Sequence, residues 1–220
     1  MTTFPNAPKL VKGGIVLLDP ESGAILRVIT PQYNPDTMNR TLQIQPFTGG
    51  TGGDPNRSEA LRLKGPPVET FKLDAEIDAT DQLEIADGVA VRVGVHPQLA
   101  ALEIIAYPTS AQLLANNARA AGGTLEIAPM QVPLTLFVWS KNRIVPVRLT
   151  DISAVEDAFD ADLNPIRAKV SLGFRVLTVD DLGFTPKGGS LYMVYQQQKE
   201  ALAALYRSGG LGALGLGGIP

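Results

Sequence analysis

Apolar and polar residues alternate along much of the chain, and the clearest alternation runs through Val68–Asp78. On one side of this extended segment, Phe71, Leu73, Ala75 and Ile77 form an apolar face. The other side carries mainly charged residues. A period of two is the pattern of a β-strand with one buried and one solvated face. The segment is therefore predicted to be a strand between the core and water.

Two further long strands each follow an Asn-Pro turn, one near each end of the β-rich part of the chain. The turn at residues 34–35 leads into residues 37–44, and the turn at residues 164–165 leads into residues 166–176. Proline fixes φ and has no backbone N–H, so an Asn-Pro pair separates one element from the next. Long strands without a catalytic cluster between them are typical of a structural part rather than an enzyme.

The remaining segments predict shorter strands and a few helices. Apolar runs bounded by turn residues predict strands at residues 13–20, 24–30, 132–139, 143–150 and 152–159. A helical period predicts helices at residues 96–107 and 191–206, with weaker helical stretches after Thr80 or Asp81 and at residues 110–121. Residues 46–67, with a Gly-rich stretch at 49–53, are expected to form a mobile loop. The Gly/Leu-rich tail from residue 209 is expected to dock on a partner or to fray.

Composition places the chain among globular proteins and excludes several function classes. Hydrophobic residues make up 45% of the 220 residues and charged residues 19%, which favours a packed core over disorder. The net charge of −3 indicates no basic face for nucleic acid. The absence of cysteine excludes disulfides and thiolate metal sites. No signal-peptide pattern and no run of roughly 20 apolar residues is present, so we expect no membrane span.

Residues suited to catalysis or metal binding are few. His96 is the single histidine and stands at a predicted helix start, where capping or exposure is more common than catalysis. An acidic cluster is formed by Asp78, Asp81, Glu84 and Asp87. Its spacing does not fit the calcium loop of an EF-hand, and a solvated face is the better interpretation. The sequence therefore predicts neither a metal nor another cofactor.

Motifs of the common enzyme classes are also missing. No serine lies in a Gly-x-Ser-x-Gly turn. The Gly-rich residues 49–53 lack the Gly-Lys-Ser/Thr ending of a phosphate-binding loop. A hydrolase that uses paired carboxylates stays open, because such pairs need a separation of roughly 5–10 Å that a sequence does not give. We therefore expect a protein that is not an enzyme.

Five segments, taken in order, resemble one protein family. They are residues 33–36 (Tyr-Asn-Pro-Asp), 46–49 (Pro-Phe-Thr-Gly), the alternating strand 68–78, the Pro-to-Trp strand 133–139, and the closing strand 163–174 with Pro-x-Arg-Ala. In this order and spacing the chain resembles the N-terminal domain of contractile injection system tube proteins, which are tube and baseplate components of phage-tail-like particles. The resemblance covers roughly residues 10–180.

The resemblance implies a mainly β fold, with two packed antiparallel sheets forming a small tail-tube-like barrel beside a flanking helix, at residues 10–180. Residues 181–220 are then a C-terminal helix and a Gly/Leu-rich tail, too short for the LysM-like module of some family members. It also implies a homo-hexameric ring that joins an inner tube protein to a spike or hub protein, with a baseplate wedge as a further partner. Assembly is expected in the cytoplasm, with release in an extracellular particle left open.

The predicted subunit-interface residues come from the strands and turns that carry the resemblance. They are Tyr33, Asn34, Pro35, Arg40, Phe47, Trp139, Arg167 and Lys169. The polar faces of the two strands that follow Asn-Pro turns are expected to face the lumen or a neighbouring subunit.

One alternative has a different function class. A ligand-binding β-barrel that recognises carbohydrate or peptidoglycan would use Trp139, Tyr107 and residues 49–53 to line its site. Aromatic rings suit such a site, although a core or interface position is the more common place for a tryptophan at a strand end. The sequence therefore leaves two readings, an assembly component and a binding module.

Overall fold

The computed structural model describes residues 11–47, 62–123, 132–184, 186–206 and 209–219. Its strands are β1 (Gly14–Leu18), β2 (Ile25–Ile29), β3 (Met38–Gln43), β4 (Val68–Asp78), β5 (Leu134–Ser140), β6 (Arg143–Phe159) and β7 (Pro165–Val176). Its helices are α1 (Thr80–Glu84), α2 (Gly88–Val93), α3 (His96–Glu103), α4 (Ser110–Ala121), α5 (Val179–Leu182) and α6 (Lys187–Ala204). A short 3-10 turn follows at Leu211–Leu214.

All seven strands belong to one antiparallel sheet in the order β2-β1-β5-β6-β7-β4-β3. The prediction of a mainly β fold with flanking helices is confirmed. Within the described residues the sheet is open, because its edge strands β2 and β3 do not pair with each other. The predicted arrangement of two packed sheets in a closed barrel is not confirmed.

The sheet is strongly coiled, and β6 is the strand on which it turns. The first residues of β6, up to Val147, pair with β5, and the remainder from Val147 onward pairs with β7. In a flat sheet β4 and β5 would lie roughly 14 Å apart, since three strand spacings separate them. The ring centroids of Phe71 on β4 and Phe137 on β5 are nevertheless only 5.3 Å apart. The coiling gives the sheet a concave inner face that holds the core.

The core is built from the inner face of the sheet and from two helices. Phe71 and Phe174 are fully buried on the neighbouring strands β4 and β7. Leu102 of α3 and Tyr195 of α6 belong to the same buried cluster. Helices α3 and α6 therefore cover parts of one concave face.

Several elements differ from the sequence-based expectation. The helix predicted at 96–107 ends as α3 at Glu103, although Leu99, Leu102 and Ile105 are buried as their spacing indicated. Helix α2 was not predicted, and Asp87 begins it by accepting hydrogen bonds from the first backbone N–H groups. Helix α6 starts four residues before the predicted Leu191.

Residues 143–159 form one strand rather than two, with an irregularity between Leu149 and Asp151. A bulge at this point lets the strand bend without ending. The Gly-rich residues 49–53, together with Thr48 of the predicted Pro-Phe-Thr-Gly patch, lie outside the described residues. On either side of that gap, Pro46 and Leu63 form an isolated antiparallel bridge.

Candidate functional site

The turn at residues 33–35 is fixed by hydrogen bonds within the subunit. The backbone N–H of Gly13 donates to Asn34 Oδ1 at 3.0 Å, and Asn34 Nδ2 donates to the carbonyl of Val11 at 3.0 Å. Tyr33 beside it is exposed, whereas Pro35 lines a cavity described below. Of these three predicted interface residues, Tyr33 therefore offers the most free surface.

The two predicted interface arginines are engaged within their own subunit. Arg40 Nε lies 2.5 Å from Glu69 Oε1, and Arg167 Nε lies 3.1 Å from Asp78 Oδ2. A guanidinium that already holds a carboxylate has fewer donors left for a neighbour. These arginines consequently link β3 to β4, and β7 to β4, inside one subunit.

The other predicted interface residues are more accessible. Lys169 is exposed on β7 directly opposite Glu76 of β4. Phe47 is exposed, and its backbone N–H donates to the carbonyl of Arg62. Trp139 is half-buried and stacks on Phe137, with ring centroids 5.8 Å apart. The structure thus spreads the predicted interface residues over several surfaces instead of gathering them into one.

A buried carboxylate that was not predicted holds three elements together. The side chain of Glu69 on β4 is only 3% exposed, and it accepts hydrogen bonds from Arg40 of β3, Tyr195 Oη at 2.7 Å and Lys199 Nζ at 2.8 Å. The ammonium of Lys199 also lies 4.0 Å from the centroid of the Tyr195 ring. Glu69 therefore ties α6 to the edge of the sheet.

Burial and hydrogen bonding shift the pKa of the Glu69 carboxyl in opposite directions. Burial alone would raise the pKa of Glu69, but the bonds from Lys199, Tyr195 and Arg40 outweigh it and hold the pKa below its ordinary value. The pKa of Tyr195 is raised, first by its burial and then by its bond to Glu69. Glu69 is therefore a charged carboxylate at neutral pH.

An outward-facing polar surface covers the long strands. Lys72, Asp74 and Glu76 of β4 are exposed beside Lys169 and Ser171 of β7. Ser171 Oγ donates to Asp74 Oδ1 at 2.5 Å, and Glu76 faces Lys169 across the ladder. Charges of both signs are thus interleaved over this face, which the alternating sequence pattern predicted to be solvated.

The edge strand β2 exposes apolar side chains. Ile25, which is 67% exposed, Leu26 and Val28 all lie open on a strand that, among the described strands, pairs with β1 alone. An edge strand of this kind presents free backbone groups and apolar surface to other chains. At the opposite edge, β3 is exposed over five of its six residues, including Leu42. Within the described residues, both edges are open to contact with another protein chain.

A cavity of about 580 Å³ lies between α3 and the concave face of the sheet. Its floor contains Phe137 and Phe174, and Trp139 forms part of its wall. The side chain of Tyr107, which was expected to share a site with Trp139, is exposed and does not line the cavity. The volume is within the range of roughly 300–1,000 Å³ that is typical of small-molecule pockets.

The predicted acidic cluster has local structural roles. Asp78 accepts from the backbone N–H of Thr80 and pairs with Arg167, while Asp87 caps α2. Among the described residues, no group of three or more histidine, aspartate or glutamate side chains is arranged to hold a metal ion. Of the helices in the described ranges, none is long and apolar enough to cross a membrane.

Comparison with known proteins places the chain in no family. No protein-family model matches it, and a search of curated proteins finds no match. Its function is therefore argued from the chain's own residues.

The burial of Glu69 could have been predicted from its position in the alternating pattern of β4. It precedes Phe71 by two residues and Leu73 by four, so the alternation in β4 places it on the same, core-facing side of the strand. A carboxylate on the apolar side of a strand needs cationic or hydrogen-bonding partners. The partners Tyr195 and Lys199 lie more than 120 residues away and could not be identified from that signal.

Proposed function

We propose that this protein is a structural component of a contractile injection particle, an adaptor between the inner tube and the spike hub. The observation that carries the proposal is the combination of a broad polar strand surface on β4 and β7 with two unpaired sheet edges. The segments that, in their order along the chain, resemble tube proteins are the reason for proposing this kind of assembly. The role is mechanical, so it requires contact surfaces rather than a reactive site.

The two edges give the subunit a way to join copies of itself. An edge β2 on one subunit and an edge β3 on the next are different surfaces, so their contact is head-to-tail. Repetition of such a contact closes a ring when its rotation divides the circle, and six copies would make a hexamer. The ring would cover the apolar side chains of β2 and complete the barrel that one open sheet leaves unfinished.

In this ring the polar surface of β4 and β7 would line the lumen. Interleaved charges such as Glu76 and Lys169 present no large field of one sign, so cargo of either charge could pass. Helix α6 would take the place of the LysM-like module in contacts with the baseplate wedge. Its attachment through Glu69 connects such a contact directly to the β3 edge.

Assembly with partner proteins tests this proposal. The full chain is mixed with tube protein and spike hub protein of a contractile injection particle, and complexes are separated by sedimentation and imaged. We expect a ring bound to the tube end, and Ile25→Lys should abolish it because a charge on β2 opposes a buried sheet contact.

Ile85→Lys is the control, since Ile85 is also exposed but ends α1 and belongs to no strand. Both variants should fold normally, as exposed substitutions usually change stability by no more than about 0.5 kcal/mol. The proposal is contradicted if no partner binds, or if both variants assemble like the unmodified protein.

A ligand-binding module is the second candidate, and the cavity beside Trp139 is the observation that favours it. The polar side chains on the otherwise apolar walls are few for carbohydrate recognition: Arg27, Thr30, Gln32, Gln82 and Gln98. Because Trp139 is the single tryptophan, its fluorescence during titration with soluble glycans tests this candidate. A saturable change would support it, and a flat response would remove it.

A further inference from the structure

The cavity beside α3 and the C-terminal turn are two apolar surfaces of one chain that have matching chemistry. Arg27 is the only charged residue among those that line the cavity. Residues 209–219 contain no charged residue, and their large side chains are exposed, with Leu214 at 73% and Ile219 at 79%. Neither surface has a partner within the described residues that would cover it.

The C-terminal turn is locally ordered, which lowers the entropy lost on binding. The N–H of Ala213 donates to the carbonyl of Gly210, and the N–H of Leu216 donates to the carbonyl of Leu211. Gly215 has φ of +70°, a left-handed conformation that glycine adopts without strain. The turn therefore presents its leucines on a compact, preformed projection.

The C-terminal part of α6 is anchored at a distance from the cavity of its own subunit. Glu69, at the start of β4, holds Lys199 near the end of α6. The cavity wall lies farther along the same strand, from Leu73 to Ile77. At about 3.3 Å per residue these positions are roughly 13–26 Å from Glu69. In the structure the residues that line the cavity include none of the turn.

We propose that the C-terminal turn of one copy binds in the cavity of a second copy. Leu214 and its neighbours would enter between α3 and the concave face of the sheet, against Phe137 and Trp139. The two surfaces differ, so the contact is head-to-tail, and each copy donates one turn and accepts another. The cavity wall includes Arg27, Val28 and Ile29 of β2, but the contact does not require the edge of β3, so it stands whether or not the proposed function is correct.

Complementation between two full-length variants tests the proposal in the Ile25→Lys background, which opposes strand pairing at the β2 edge at a residue that does not line the cavity. The double variant Leu214→Ser/Ile219→Ser removes apolar side chains from the turn and leaves the cavity unchanged. Ala101→Phe fills the cavity and keeps the turn, because Ala101 of α3 lines its wall. Gln98→Phe, at an exposed position on the same wall, is a second cavity variant that folding tolerates more readily.

We expect the Ile25→Lys protein to self-associate with rising concentration, with a blue shift of Trp139 emission. Each further variant alone should weaken association at least about tenfold. The burial of one leucine side chain contributes enough binding free energy to change the affinity by about that factor. An equimolar mixture of the two should restore a one-to-one heterodimer in sedimentation velocity. Leu113→Ser/Leu114→Ser, which changes exposed leucines of α4, is the matched control and should associate normally.

Three results would overturn the proposal. If the blue shift of Trp139 emission does not depend on concentration, the turn lies in the cavity of its own subunit. Association that neither the turn variant nor the cavity variants weaken places the contact elsewhere. A protein that stays monomeric throughout, with constant Trp139 emission, has no such contact.

Discussion

At the residue scale, Glu69 shows how one buried charge sets the position of several elements. Its carboxylate accepts bonds from Arg40, Tyr195 and Lys199, and these come from an edge strand and from the last helix. A buried charge with such partners is costly to leave unpaired, so the three groups must stay together. The geometry of β3 and α6 therefore depends on a single side chain.

Replacement of Glu69 by glutamine tests this dependence. Glu69→Gln removes the charge and leaves two cations without their partner, so we expect a loss of about 2 kcal/mol in the free energy of unfolding. The loss is below the ~3–5 kcal/mol of a fully buried pair because the side chains of Arg40 and Lys199 are 32% and 28% exposed. Urea denaturation at neutral pH measures it.

Glu76→Gln provides the control, because Glu76 is exposed and faces Lys169 on the surface. That variant should lose no more than about 0.5 kcal/mol, as surface ion pairs contribute little. Equal losses for the two variants would mean that Glu69 does not anchor α6 more firmly than an exposed pair would.

The pH dependence of stability follows from the same carboxyl. The pKa of Glu69 is lower in the folded protein than its ordinary value of 4.5, so the native state binds fewer protons than the unfolded state. The stabilisation is complete above that ordinary value and is lost as pH falls through the folded pKa. We expect the stability difference between the unmodified protein and Glu69→Gln to shrink as pH falls below 4.5, measured by urea denaturation. A constant difference would contradict this assignment.

At the element scale, periodicity predicts what a segment is, and tertiary contacts decide where it begins and ends. The bounds of β4 are as predicted, because its alternation is unbroken and one face is buried. Helix α6 begins at Lys187, before the predicted Leu191, and it includes Gly188 and Gly189 although glycine is a poor helix former. At Gly189 a Cβ atom would lie 1.7 Å from the carbonyl oxygen of Gly183, so glycine is required there by packing.

Gly189→Ala should therefore destabilise the protein although alanine is the better helix former. We expect a loss of about 1–3 kcal/mol, since the added methyl group forces the segment before α6 to move. Thermal and urea unfolding measure the change.

Gly88→Ala is the control, because Gly88 also begins a helix but has no atom within 4 Å of its added Cβ. It should be neutral or stabilising by up to about 1 kcal/mol. If Gly189→Ala behaves like Gly88→Ala, α6 does not pack against Gly183 as closely as described.

At the scale of the whole molecule, the sequence predicts the strands but not their neighbours. Strand β1 lies beside β5, and β4 lies beside β7, although more than 90 residues separate Val68–Asp78 from most of its partner strand. Alternation reports only which face of a strand is buried, so it is silent on pairing. The cavity and the Glu69 cluster depend on these distant pairings, and for this reason they appeared only in the structure.

The open sheet is the feature of the whole molecule on which the proposed role depends. Its exposed β2 edge carries apolar side chains, and the outward face of β4 and β7 carries exposed polar residues. The proposed ring would cover the first surface and place the second along its channel. The oligomer, not the single subunit, would then be the functional unit.

Electron microscopy of the purified protein at high concentration, alone and with tube protein, tests the central claim most directly. The account predicts rings of six copies with an open channel, in which the strands β4 and β7 of each subunit face the lumen. A protein that remains monomeric in both samples, or a ring whose channel is lined by other elements, would contradict it.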